Sequence, residues 1–107
     1  MVSPVGDGDA ELHCGGAHLD VRNVSLVRAR LNALLDQADG DVVLDLSGVE
    51  RIDATALGML TAAHLRAERA GHHLVLRNCT KEIRRVLAVT HLNRILHIDR
   101  NSLQLSA

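Results

Sequence analysis

Apolar positions recur at changing intervals along this chain. Val24, Val27, Leu31, Leu34, Leu35 and Ala38 return every three or four residues, the mark of one buried helix face. Arg28, Arg30, Asn32 and Gln37 fall largely outside that face. Asn23 or Ser25 can cap the element and Gly40 stops it, which predicts a helix over 25–38. Val42-Val43-Leu44-Asp45-Leu46 then places apolar residues almost without a break, which predicts a strand covered on both faces. Asp45 is the exception and is expected near the strand's end, within reach of water or a partner. Ser47-Gly48 reads as a turn.

A second helix is predicted from near Thr55 to Ala70. Leu57, Leu60, His64 and Ala67 form its inner stripe. Ala56, Ala62 and Ala63 permit close approach to a sheet, and Arg66, Glu68 and Arg69 lie on the wet side. Leu74-Val75-Leu76 is the next buried strand. Thr80 caps a third helix, whose inner face is Ile83, Val86, Leu87 and Thr90. Ile95-Leu96-His97-Ile98 is a last short strand. Glu11–Ala17 reads as a first strand, in which Gly15-Gly16 implies a bulge or bend. Residues 1–10 and 99–107 read as tails. The resulting order, β-α-β-α-β-α-β, implies a single α/β domain with a mostly parallel sheet and right-handed crossovers.

Composition narrows the function. The chain has 107 residues, enough for one domain, and contains no Phe, Trp or Tyr. A single-strand nucleic-acid binder stacks bases on aromatic rings, and none are available. With 12 basic and 13 acidic residues the net charge is −1, so no broad basic footprint is present. No apolar run is long enough to span a bilayer. The first residues, MVSPVGDGDAE, lack the basic start and apolar core of a signal peptide. Cys14 and Cys79 are too few and too scattered for a disulfide framework or a zinc site, and read as reduced thiols in a cytoplasmic protein.

The candidate chemistry gathers at the strand-to-helix junction, where Asp53 and the hydroxyl of Thr55 stand together. Free N–H groups at a helix start favour negative charge. Either residue also reads simply as a helix cap. Asp20 either sits near this corner or caps the first helix. The seven histidines show no spacing of the H-E-x-x-H kind, so no metal is expected. Lys81, Arg84 and Arg85 read as solvated helix surface. No histidine close in sequence offers Thr55 a base, which argues against an enzyme with a threonine nucleophile.

Asp45-Leu46-Ser47-Gly48-Val49, Ile52-Asp53, Thr55 and Leu57-Gly58 resemble the signature of the STAS domain, the family of bacterial anti-sigma factor antagonists. Its usual form is D-L-S-G-V-x-x-I-D-S-S-G-L-G. Gly16 to Asp20, Gly71 with Leu74-Val75-Leu76, and Arg85-Val86-Leu87 with Leu92 and Ile95 resemble further family segments, so the likeness covers residues 12–98. The resemblance implies the STAS fold, with four strands, or five if the family's first strand is present. It implies phosphorylation of Thr55, at the place of the second serine, by a serine-threonine kinase that is itself the anti-sigma factor. A phosphatase would reverse the step.

Ala54 replaces the first serine and leaves Thr55 as the acceptor of the pair. Ala56 replaces the glycine and adds a methyl group beside it. The implied partner surface is Asp20, Asp53, Ala54, Thr55, Ala56 and Leu57. The implied function is regulation of sigma-factor-dependent transcription by protein binding, with no catalysis, cofactor, metal, nucleic acid or membrane. Ala54 and Ala56 leave open an alternative: a STAS scaffold or small-ligand sensor that is never phosphorylated.

Overall fold

The computed structural model describes residues 10–99. Its elements are β1 (Ala10–His13), β2 (His18–Leu19), α1 (Val24–Gln37), β3 (Val42–Asp45), β4 (Arg51–Ile52), α2 (Ala54–Arg69), β5 (Leu74–Arg77), α3 (Lys81–Val89), a 3-10 turn (Leu92–Arg94) and β6 (His97–Ile98). The main sheet runs β1-β3-β5-β6, and every pair in it is parallel. This is the expected four-stranded α/β arrangement. A fifth family strand would fall among residues outside those described.

The strands differ from the sequence reading in three places. Glu11–Ala17 is not one strand. Gly15 and Gly16 both take positive φ, at 73° and 76°, a region in which side chains with a Cβ are strained. The chain turns there, and β2 leaves the main sheet to pair in parallel with β4. The short strand Arg51–Ile52 carries no alternation of its own to mark it in the sequence. At the other end, Leu92–Arg94 forms the turn, Ile95 is exposed, and only His97–Ile98 pairs with β5.

The expected tails also need correction at their inner ends. Ala10 pairs with Val42 in β1. Asp99 donates its N–H to the Leu76 carbonyl at 2.8 Å and accepts from Arg77 Nε at 3.1 Å. The sequence also offers Leu103 and Leu105 as docking residues of the second tail, and both lie outside the described residues.

Helix ends match the periodic segments within a residue. The core is aliphatic: Leu19, Leu31, Leu44, Leu46, Leu60, Leu74, Leu76, Ile83 and Leu87 are all fully buried. All four residues of β3 are buried: Val42, Val43 and Leu44 as their apolar run demands, and Asp45 at the strand's end, where side-chain partners meet it. Thr90 and Ala62, expected inside, are exposed. Thr90 satisfies its hydroxyl on its own helix, donating to the Val86 carbonyl at 2.8 Å. Asn23 occupies the cap position of α1 without capping it. Its side chain turns back to accept from Asp20 N–H at 2.9 Å and donates to the His18 carbonyl at 2.8 Å.

Candidate functional site

The corner is assembled by long-range bonds. Asp45 ends β3 almost buried, and its carboxylate is the hub of the Asp-Leu-Ser-Gly turn. It accepts from the Ser47 N–H at 2.9 Å, the Ser47 hydroxyl, Asn78 Nδ2 at 3.2 Å and His13 Nδ1 at 3.1 Å. Burial alone would raise its pKa, but the Ser47 and Asn78 bonds and His13 hold it below the usual carboxylate range. The same burial and the nearby Asp45 charge push the Cys14 thiol up. Gly48 follows at φ 77° and turns the chain back, and the N–H groups of Glu50 and Arg51 donate to the Ala17 carbonyl at 2.8 and 3.1 Å. Thr80 ties in from α3. Its hydroxyl donates to the Val49 carbonyl at 2.6 Å and accepts from Ile83 N–H at 3.3 Å.

From this base the chain enters α2 with Asp53 as its cap. One oxygen accepts from Ala56 N–H at 2.8 Å and the other from Val21 N–H at 2.9 Å. The cap is worth about 1 kcal/mol to the helix, and the second bond fixes the loop before α1 beside it. Asp20 lies in the same corner rather than capping α1 by its side chain. Its carboxylate is held by Arg22, through Nη2 at 2.8 Å and the N–H at 3.0 Å, and these bonds lower its pKa. Asp20, Val21, Arg22, Asp53 and Val86 line an open groove of about 540 Å³. Val21 is 68% exposed there, a large apolar side chain in water. Sequence reasoning missed Val21 because nothing marks one valine in a loop.

Thr55 is the second residue of α2, not its cap. It is exposed, and its hydroxyl has no hydrogen-bond partner among the described residues. Ala54 is exposed beside it, Leu57 is half-buried against the core, and Ala56 is fully buried. The methyl of Ala56 therefore points into the protein, not across the acceptor's approach. Its contribution to the corner is the N–H that meets Asp53.

Thr55 opens instead onto a second groove of about 400 Å³ between α1 and α2, together with Gly58, Met59, Arg28, Arg66 and Arg69. Arg66 is paired with Asp36, Nη2 to Oδ1 at 2.6 Å, while Arg28 has no ion-pair partner among the described residues. The helical i, i+3 spacing from Thr55 is the signal that puts Gly58 on this face.

Gly58 costs the helix stability for no packing reason, because a Cβ there would meet nothing within 4 Å. Gly58→Ala is therefore expected to stabilise the fold by about 0.5–1 kcal/mol in urea denaturation. If its bareness serves close approach to the Thr55 face, the same variant binds a partner less tightly while being more stable.

Two parallel sheets, three helices and a capped helix start presenting a free hydroxyl define an α/β module. A family model described as "Mlab, STAS domain" matches residues 7–98. The chain belongs to the STAS domain family.

Among solved structures, a Thermotoga maritima protein classed as an anti-sigma factor antagonist, TM1081, is similar at 25% identity and a TM-score of 0.74. The match covers 92% of this chain and 83% of that one. The anti-sigma factor antagonist SpoIIAA in its unphosphorylated form shares the fold at 16% identity and a TM-score of 0.72, over 92% of this chain and 86% of that one. The phosphorylated form of the Bacillus protein SpoIIAA matches at 15% identity and a TM-score of 0.67, over 100% and 98%. No helix among the described residues is long and apolar enough to cross a membrane.

Proposed function

We propose that this chain is an anti-sigma factor antagonist switched at Thr55. Unmodified, the corner formed by Asp20, Val21, Asp53, Ala54 and Thr55 binds an anti-sigma factor in the cytoplasm and so frees a sigma factor. Phosphorylation of Thr55 by a serine-threonine kinase releases the partner, and a phosphatase resets the switch. The protein performs no catalysis of its own. The observation that carries this reading is that Asp53 caps α2, which leaves the Thr55 hydroxyl exposed and unbonded at the second helical position.

A phosphate there adds about −1.5 to −2 charges next to the positive end of a helix, so the fold tolerates it. Arg28, Arg66 and Arg69 line the groove into which it would project. A dry partner contact over the same hydroxyl would not tolerate it, since the added charge must be desolvated. The test is to incubate the full chain with the anti-sigma kinase of the same cell and labelled ATP. Label on the wild type and none on Thr55→Ala is expected; labelling that survives the substitution, or no labelling by any such kinase, sinks the switch.

The arginine-lined groove favours a second reading, a STAS sensor of a small anionic ligand. It differs in one respect: such a ligand would still bind the Thr55→Ala protein.

A further inference from the structure

His13 serves the docking corner through Asp45, whereas His64 and His97 meet at the far end of α2. His64 and Glu68 are one turn apart on α2, and β6 brings His97 against them from 33 positions away in the chain. Ligand atoms of all three side chains lie within 4.8 Å of one another, the group of this kind found among the described residues. His64 is 3% exposed, and its Nδ1 is buried without a hydrogen-bond partner.

His64 Nε2 stands 3.4 Å from Glu68 Oε1. That is long for a hydrogen bond, but it is the separation of two ligands on one tetrahedral zinc, about 3.3 Å for bonds near 2.0–2.1 Å. Glu68 is exposed and free to close the remaining distance. The two imidazole rings are 5.7 Å apart. A further ring, His73, packs edge-on against His97 at 4.4 Å and is itself held by Asp41 at 3.3 Å, which restricts the orientation of His97.

We propose that His64, Glu68 and His97 form a binding site for a divalent transition metal of the zinc class. Two imidazoles and one carboxylate are a donor set suited to zinc, with the fourth position left to water on the exposed side. The site lies at the opposite end of α2 from Thr55, nine to thirteen residues along the helix, or about 14–20 Å. Its effect is structural. It joins α2 to β6, a strand of two residues at the edge of the main sheet that pairs with β5.

The test is calorimetric titration of the tag-free full chain with Zn²⁺ near neutral pH, followed by thermal melting with and without the ion. One saturable site per chain and a raised melting temperature are expected in the wild type. Glu68→Gln and His97→Ala, both at exposed positions, should each weaken binding by at least about 10-fold and remove the thermal shift. His91→Asn, on the surface elsewhere, should bind as the wild type does. His64 is left intact because its replacement could unfold the core. No saturable binding overturns the proposal. So does binding that survives both Glu68→Gln and His97→Ala, including binding lost only when His72 and His73 are replaced.

Discussion

Asp45→Ala is expected to lower stability by about 2–4 kcal/mol, read as a shift in the urea midpoint at neutral pH. The carboxylate collects four donors from three separate segments: the Ser47 backbone and hydroxyl, Asn78 and His13. Its loss takes the acceptor from the partly buried Ser47 N–H and hydroxyl and removes one bond from Asn78. The share due to His13 is small, since that ring is 61% exposed and screened by water.

The pH dependence has a definite sign. The folded-state pKa of Asp45 lies below the ordinary value, which is about 3.9 in an unfolded chain. Its contribution is therefore fully present above that value and is lost as pH falls through the folded pKa. The stability gap between the wild type and Asp45→Asn, open at neutral pH, should narrow below about pH 4. A gap that stays constant down to acid pH would show that the carboxylate's charge plays no part.

Thr55→Glu is expected to weaken binding to the anti-sigma factor by about 100-fold or more, close to 2.7 kcal/mol, measured by titration calorimetry against the purified partner. Thr55→Val should stay near wild-type affinity, because it keeps shape and branching and adds no charge. The comparison separates charge from bulk. Both variants should fold as the wild type does, since Thr55 is exposed and the cap bond belongs to Asp53. A glutamate near the start of a helix is in fact mildly stabilising, by about 0.3–1 kcal/mol. Thr55→Glu should thus melt at or above the wild-type temperature while binding worse. Unchanged affinity of Thr55→Glu would argue for a scaffold without a phosphoswitch.

The helices and central strands were legible because their signals are local. A three-to-four spacing in residues 24–38, an apolar run at 42–46 and a threonine at the start of α3 each specify an element within one short window. The Asp-Leu-Ser-Gly segment and its continuation to Gly58 were equally plain, and they carried the family. The errors share a different origin. Thr90 and Ala62 fit the apolar period but face solvent, because the period says nothing of what lies opposite. The strand at Arg51–Ile52 owes its existence to a partner at His18–Leu19, which no window around it contains.

What the sequence determined by itself is the α/β succession, the aliphatic core and the presence of an aspartate and a lone hydroxyl at the start of α2. What the tertiary structure alone decided is the division of labour at that corner. Asp53 takes the cap and reaches Val21, 32 positions earlier, so Thr55 is left free, and Ala56 turns its methyl into the core. It likewise decided that His64, Glu68 and His97 meet. The physical reason is the same in both cases. Periodicity is a property of neighbouring residues, whereas a hydrogen bond or a shared ligand depends on which distant segments the sheet register sets side by side.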